Sequence, residues 1–259
     1  MKIASFNVNS VKARLGNLVE WLKEAEPDVV CLQELKCLDE AFPRGEIEDL
    51  GYNVATHGQK TYNGVAILSK SPMEDITRGL PGNGADDQAR YIEAVIPAGK
   101  TVLRVASIYL PNGNPQPGPK FDYKLRWMER LRTRARAILG EEIPALLIGD
   151  YNVIPHDDDT YSVAAMADDA LMQPESRAAY NRMLGDGWTD ALRTRNPAGG
   201  VWTYWDYQAG AWPRDAGFRI DHMLLSPQAA DRMTDARVDK EYRGREKASD
   251  HAPVWVELR

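Results

Sequence analysis

The chain has 259 residues, of which 43% are hydrophobic and 27% charged, and it carries a formal net charge of −6. That is the composition of a globular protein with a sizeable core, and it excludes a disordered chain or a protein that grips polyanions by bulk positive charge. An acidic chain still accommodates a polyanion where clustered carboxylates hold divalent cations, because a bound cation reverses the local charge.

The opening MKIASFNVNS has no apolar signal region and nothing near the roughly 18 apolar residues of a membrane span, so a cytoplasmic protein without a membrane partner is expected. KIASFNV alternates as a strand, RLGNLVEWLKEAEPD sets Leu15, Leu18, Val19 and Leu22 at helical spacing until Pro27, and VVCLQE follows as a short apolar strand. Cys31 and Cys37 are too few for a disulfide framework and match no common zinc spacing, so Cys31 within VVCL reads as a buried small hydrophobe. NGVAILSK, RYIEAVIPAGKTVLRVASIYL and PALLIGDYN continue as strands, with Pro-Ala-Gly-Lys as a hairpin turn. KFDYKLRWMERLRTRARAILG predicts a helix with Leu125, Met128, Leu131, Ala135 and Ile138 on its apolar face. The opposite face is rich in Lys and Arg, and reads either as a solvated face or as a basic ridge beside a polyanion. SRAAYNRMLGDGWTDALR predicts a further helix ending near Gly185 or Gly187, and IDHMLLS and PVWVELR the last strands. No repeat, low-complexity linker or composition break divides the chain, so one layered α/β domain spanning residues 1–259 is expected, with helices covering sheets.

Polar residues gather where apolar runs end: SFNVN, CLQEL, IYLPN, LIGDYN, RIDH and SDHAP. Any one has an ordinary reading as a turn former or helix cap. Together they put Glu34, Asp150, Asp221 and Asp250 at strand termini, and such carboxylates repel unless metal, histidine or substrate compensates them. Oxygen donors without nearby cysteines suit a hard cation, Mg²⁺ or Mn²⁺, and point to phosphoryl transfer in which a carboxylate or histidine orients water. There is no P-loop, GxSxG elbow, GxGxxG fingerprint or HExxH.

These stretches, with GYNVATHGQK, YNGVAILSK, TYWDY, FRIDHMLLS and SDHAPVWV, stand in the order and nearly the wording of the exonuclease III group of metal-dependent AP endonucleases. The sequence resembles that group from residue 2 to its end. The resemblance implies the DNase I-like fold of the wider endonuclease, exonuclease and phosphatase superfamily: a four-layered α/β sandwich with two facing mixed β-sheets flanked by helices. It implies hydrolysis of the phosphodiester 5′ to an abasic site to leave a 3′-hydroxyl, with 3′-end cleaning and 3′-to-5′ exonuclease activity. The implied partner is double-stranded DNA with abasic sites or blocked 3′ ends, the cofactor Mg²⁺ or Mn²⁺ as one or two ions, and the working form a monomer.

By the same resemblance Glu34 matches the principal metal ligand, Asn7 its supporting asparagine and Asp250 a further carboxylate of that shell. Asp150 and Asn152 match the pair that orients water and holds phosphate, and that in some family mechanisms also ligates a second metal. Asp221 and His251 match an aspartate and histidine couple, the histidine binding the phosphate if protonated or acting as base if neutral. Tyr109 and Asn112 match residues at the phosphate, and Tyr204, Phe218 and Ile220 match the apolar pocket for a flipped-out, base-less sugar. Trp202, Trp205 and Trp212 lie nearby and read as core or as a stacking wedge.

The chain departs from the pattern at two places. Asn9 stands where some relatives carry an aspartate, which lowers the negative charge, and the PQPGP segment from Pro115 lacks the arginine that some relatives insert into the duplex. The rival readings are a superfamily enzyme acting on inositol phosphates or phospholipids, and a catalytically silent DNA-binding relative.

Overall fold

The computed structural model describes residues 1–82 and 84–259. Strands β1 (Lys2–Asn7), β2 (Val29–Gln33), β3 (Asn53–His57) and β4 (Val65–Ser69) begin one sheet. The chain then lays down a second with β5 (Glu74–Arg78), β6 (Tyr91–Ala98), β7 (Thr101–Tyr109), β8 (Ala145–Asp150), β9 (Thr189–Asp190) and β10 (Asp221–Leu225). It returns to the first with β11 (Met233–Val238) and β12 (Val254–Leu258). The spatial orders are β11-β12-β1-β2-β4-β3 and β5-β6-β7-β8-β10-β9. Each sheet holds one parallel pair, β1 with β2 and β7 with β8. Parallel neighbours need a crossover, and helices Leu15–Ala25 and Pro119–Leu139 supply the two.

The strands alternate in side-chain direction, so each sheet has two faces to bury. Ile3, Cys31 and Ile67 of the first sheet meet Ile92, Val105 and Ile148 of the second in the middle of the molecule. On the outer faces Ala4, Phe6 and Leu32 pack on Leu18, Trp21 and Leu22, while Tyr91, Ile108 and Leu147 pack on Trp127, Leu131 and Tyr180. The result is helix, sheet, sheet, helix: the expected four-layered architecture, with Cys31 buried as expected.

All the strands read from the sequence are present, including the β6–β7 hairpin turning at Gly99, whose φ of 68° suits glycine. The four strands the sequence did not announce, β3, β5, β9 and β11, are the four sheet edges. Edge strands carry charge and break alternation, as in Glu74–Arg78 and in the bulged Met233–Val238. In the helix Pro119–Leu139 the buried face is Phe121, Lys124, Trp127, Met128, Leu131, Ala135 and Ile138, with Leu125 only half-buried. Its basic face is a set of ion pairs: Arg130 with Asp86 at 2.6 Å, Arg132 with Asp186 at 2.7 Å and Arg134 with Glu93 at 2.6 Å. Those three guanidiniums are engaged by acids, which argues against a basic ridge beside a polyanion.

Candidate active site

Strand register brings the polar ends together. Asp150, the last residue of β8, pairs with Tyr109 of β7 on one side and with Asp221 of β10 on the other. In the facing sheet Asn7 ends β1 opposite Gln33, immediately before Glu34. Gly149 is what allows β8 to run so close to β7, since a Cβ there would lie 2.0 Å from the Ile108 carbonyl oxygen, at a φ of 151°. Beyond the strands the backbone turns sharply: Asn9, Glu34 and Asn152 all adopt positive φ, between 43° and 53°. For residues with a Cβ this conformation costs on the order of 1 kcal/mol each, and such strain collects at functional sites.

A cavity of about 520 Å³ opens at this end of the sheets. Glu34, Tyr109, Asn112, Asp150, Asn152, Tyr204, Phe218, Ile220, Asp250 and His251 all line it. Asn7 and Asp221 stand behind the wall and hold its members. The Asn7 amide nitrogen donates to Glu34 Oε1 at 3.0 Å and to Asp150 Oδ2 at 2.9 Å, and Asn7 Oδ1 accepts from the Asn9 amide. Asn7 thus clamps two carboxylates through its amide nitrogen. Asp221 Oδ2 lies 2.8 Å from His251 Nδ1, which turns Nε2 toward Asp150 Oδ2 at 3.8 Å.

Among the described residues, Glu34, Asp150 and His251 each bring one ligand atom within 4.8 Å of the other two. Asp250 also lines the cavity, its Oδ1 accepting from Asn9 Nδ2 at 3.0 Å and from the Ser249 hydroxyl at 3.3 Å. Lys36 pairs with Glu34 at 2.9 Å and also donates to Asn9 Oδ1. Asn9 therefore ties Asp250 to Lys36 and Glu34 without adding charge.

Electrostatics follow from this crowding. Burial pushes the Asp150 pKa up to about 7, with Asp221 and Glu34 adding to the rise and His251 opposing it. Burial would depress His251, yet the carboxylates of Asp221, Asp150 and Asp250 outweigh it and lift the imidazole to about 10. That upward shift favours the imidazolium, with Nδ1 placed against Asp221. Burial opposes ionisation of Glu34, but Lys36, Asn7 and His251 hold its carboxyl below the usual range. Tyr109 is kept a phenol by burial and by Glu34 and Asp150.

At the other end of the cavity the Asn112 amide donates to Asn152 Oδ1 at 3.1 Å, and Asn152 Nδ2 donates to the Leu110 carbonyl at 2.9 Å. The Asn152 main-chain N–H donates to Asp150 Oδ1 at 2.9 Å. Each amide nitrogen carries a second hydrogen available to an anionic oxygen. The apolar wall is broader than the sequence announced: Tyr204 and Phe218 stack with ring centroids 4.7 Å apart and pack, with Ile220, on Ile154, Met166, Leu171 and Met172. The methionines and Leu171 lie in a turn-rich stretch where no periodicity marks them. Trp205 is fully buried, donates Nε1–H to Asp215 at 2.8 Å and stacks edge-on with Trp212. The tryptophan cluster is core, and exposed aromatics at this end include Tyr62, Tyr161 and Tyr207.

A residue the sequence reading passed over sits beneath the asparagines. Lys124 is fully buried, with Nζ donating to the carbonyls of Asn152 at 2.5 Å, Asn112 at 3.0 Å and Ala170 at 3.4 Å. Burial draws its pKa down to about 7 against the pull of Asp169 and Asp150. Its spacing to Trp127, Met128 and Leu131 is that of the apolar face, which is the signal that could have found it.

Comparison with known proteins agrees with this fold. The family model for the endonuclease/exonuclease/phosphatase family matches residues 4–251. Exodeoxyribonuclease III from Haemophilus influenzae is 36% identical over 267 aligned positions that cover all of both chains. An AP endonuclease structure from Archaeoglobus fulgidus superposes with a TM-score of 0.94 at 37% identity, covering 100% of this chain and 99% of that one. A 3′ phosphatase from Neisseria, bound to a product DNA hairpin, superposes with a TM-score of 0.95 at 37% identity and the same coverage. With the fold, the strand-end carboxylates and these full-length matches in agreement, this chain belongs to the endonuclease/exonuclease/phosphatase family.

Proposed function

We propose that the protein is a metal-dependent DNA repair nuclease that hydrolyses the phosphodiester 5′ to an abasic site and leaves a 3′-hydroxyl, with 3′-end cleaning and 3′-to-5′ exonucleolytic activity. The observation that carries this reading is the excess of negative charge at the cavity: Glu34, Asp150, Asp169, Asp206 and Asp250 line it and Asp221 backs it, against His251, Arg214 and Lys36. The donor set is carboxylate oxygen, which fits Mg²⁺, with Mn²⁺ as substitute and one or two ions. Glu34 and Asp250 would hold the ion, which when bound neutralises phosphate charge, and Asp150 with Asn152 would hold a second ion where two bind.

Asp150, with its pKa near neutrality, accepts the proton of the attacking water, and its bond from the Asn152 N–H keeps one oxygen directed while the other faces His251. His251 presents Nε2–H to a phosphate oxygen while Asp221 fixes the ring. Asn112 and Asn152 donate to the phosphoryl oxygens without adding negative charge. Tyr109, a phenol, donates toward the departing 3′-oxygen. Tyr204, Phe218 and Ile220, together with Met166 and Leu171, take the extrahelical sugar, whose missing base lowers the unstacking cost. The protein acts as one catalytic domain and as a monomer, since a duplex needs open access to this end of the sheets.

The test is incubation with a duplex carrying one tetrahydrofuran abasic analogue, in Mg²⁺, Mn²⁺ or EDTA, beside inositol phosphates as the rival substrate. Metal-dependent incision at the analogue is expected. Release of phosphate from inositol phosphates without incision of the duplex would replace this reading with the rival one.

A further inference from the structure

We propose that Lys124 is a positioning residue for the reaction: its ammonium gathers the main-chain carbonyls of Asn112, Asn152 and Ala170, and so fixes the Asn112–Asn152 amide pair and the adjoining apolar wall in one geometry. The inference rests on the reading that this amide pair faces the scissile phosphate, and it assigns a task to a buried cation with no part in the chemistry above.

Three features carry it. The three acceptors come from three separate segments: the turn after β7, the turn after β8, and the stretch between Met166 and the helix Pro174–Gly185. Three carbonyls on one lysine nitrogen use all three of its N–H groups, a number that only the ammonium supplies. No other side chain bonds all three segments among the described residues; Ser176 Oγ adds a donor to Ala170 alone, at 2.7 Å. The methylene stem is fitted as closely as the head. Gly113, at a φ of 95°, is placed so that a Cβ would lie 2.7 Å from Lys124 Cδ and 3.2 Å from Ala170 Cβ, so the turn after Asn112 packs directly on the stem.

The consequences run to both halves of the cavity. Holding the Asn152 carbonyl sets the turn whose N–H directs Asp150, and holding the Asn112 carbonyl sets the amide that bonds Asn152 Oδ1. Holding Ala170 sets Leu171, which packs with Ile220, Tyr204 and Phe218. A single buried charge on the helix Pro119–Leu139 therefore coordinates the phosphate end with the sugar end, and a displacement of about 1 Å at such a site is enough to cost about 100-fold in rate.

The test compares Lys124→Met, which keeps the stem and removes the three donors, with Lys124→Arg and with Ile138→Ala. Ile138 is buried on the same helix, far along it from the cavity end. Amide hydrogen exchange of the folded proteins is expected to rise in Lys124→Met at residues 110–114, 150–154 and 168–172 together, and in Ile138→Ala at none of the three. On the abasic duplex, kcat of Lys124→Met is expected to fall about 100-fold with KM within about threefold, Lys124→Arg to recover to within about tenfold, and Ile138→Ala to stay within about twofold. Unchanged exchange in the three segments, or a Met variant as fast as Ile138→Ala, would overturn the proposal. Lys124→Gln takes the place of the Met variant if that one does not fold, with the same two readings. A wild-type protein that leaves the abasic duplex intact would sink the proposed function, and the exchange data would still decide the role of Lys124.

Discussion

Two buried ionic clusters meet at the start of β10, and they are built on opposite principles. Asp221 backs the cavity, bonded to His251, which meets Asp150 and Glu34. Its neighbours Arg219 and His222 face a second cluster with Asp159, Asp190 and Arg193. There Arg219 donates to Asp159 at 2.8 Å and to Asp190 at 2.7 Å, and Arg193 donates to Asp159 at 2.6 Å. Every carboxylate in that cluster has a guanidinium. Burial opposes ionisation of Asp190, but Arg219 and His222 hold it down at about 2. Burial and Arg219 push His222 down to about 4, and its ring is placed as the neutral form, Nδ1 accepting from Arg219 and Nε2 donating to the Val153 carbonyl. In the cavity cluster the carboxylates outnumber the cations and Asp150 is pushed the other way. The opposite charge balance separates a structural network from a candidate cation site.

The largest expected effect falls on the cavity side. Asp150→Asn keeps the shape and removes the proton acceptor, so turnover on an abasic duplex is expected to fall about 10³-fold or more while duplex affinity stays within a few-fold. Single-turnover rates and fluorescence anisotropy give the two numbers. Equal loss of rate and affinity would mean that Asp150 binds DNA rather than activating water.

On the other side the expected effect is on folding. Arg219→Leu leaves Asp159 and Asp190 buried without their shared guanidinium, at a cost of about 4 kcal/mol. For a chain of this length that lowers the melting temperature by about 10 °C, readable by calorimetry. A variant that melts like the wild type would show the network to be dispensable.

A pH series sharpens the contrast. The folded pKa of His222 lies below the ordinary histidine value of about 6.5. The unfolded chain therefore binds the proton first as pH falls, and the His222 contribution is full above pH 6.5 and lost toward pH 4. The loss amounts to about 3 kcal/mol. Asp150, raised to about 7, drives the opposite trend over the same interval, so the measure is the difference in urea stability between wild type and His222→Gln. That difference is expected to shrink from pH 6.5 to 4. A constant difference would place the His222 pKa elsewhere.

The smallest effect tests the departure at position 9. Asn9→Asp puts a carboxylate between Lys36 and Asp250 and is expected to change metal affinity by about fivefold, tighter with the added charge. Competition titration with a chelator measures it. Weaker binding would show that Asn9 matters as the donor that holds Asp250.

These contrasts also mark what the sequence disclosed. Strands with interior neighbours on both sides were legible because burial enforces an apolar pattern, whereas the edges β3, β5, β9 and β11 needed a partner on one side only and kept their charges. The motif residues at strand ends were legible because convergent carboxylates and amides have few other uses. Asn7 and Asp221 were legible as members of the site but not as the groups behind its wall, since which atom of an amide faces a carboxylate is settled only in three dimensions. Lys124 was hidden by its type: a lysine on an amphipathic helix reads as solvated, and the three carbonyls that satisfy it come from segments 12, 28 and 46 positions away. The basic face of the same helix stayed open between two readings, because the acids that pair Arg130, Arg132 and Arg134 lie on other elements.

The direct measurement is calorimetric titration of Mg²⁺ or Mn²⁺ into the metal-free protein at pH 7, in two buffers of different ionisation enthalpy, for wild type, Glu34→Gln and His222→Gln. Binding with proton release is expected in wild type and in His222→Gln, because Asp150 is partly protonated near neutrality and a cation displaces that proton. Glu34→Gln is expected to bind at least about tenfold more weakly. Equal binding by Glu34→Gln, or weakening in His222→Gln alone, would contradict the assignment of the cavity cluster as the cation site.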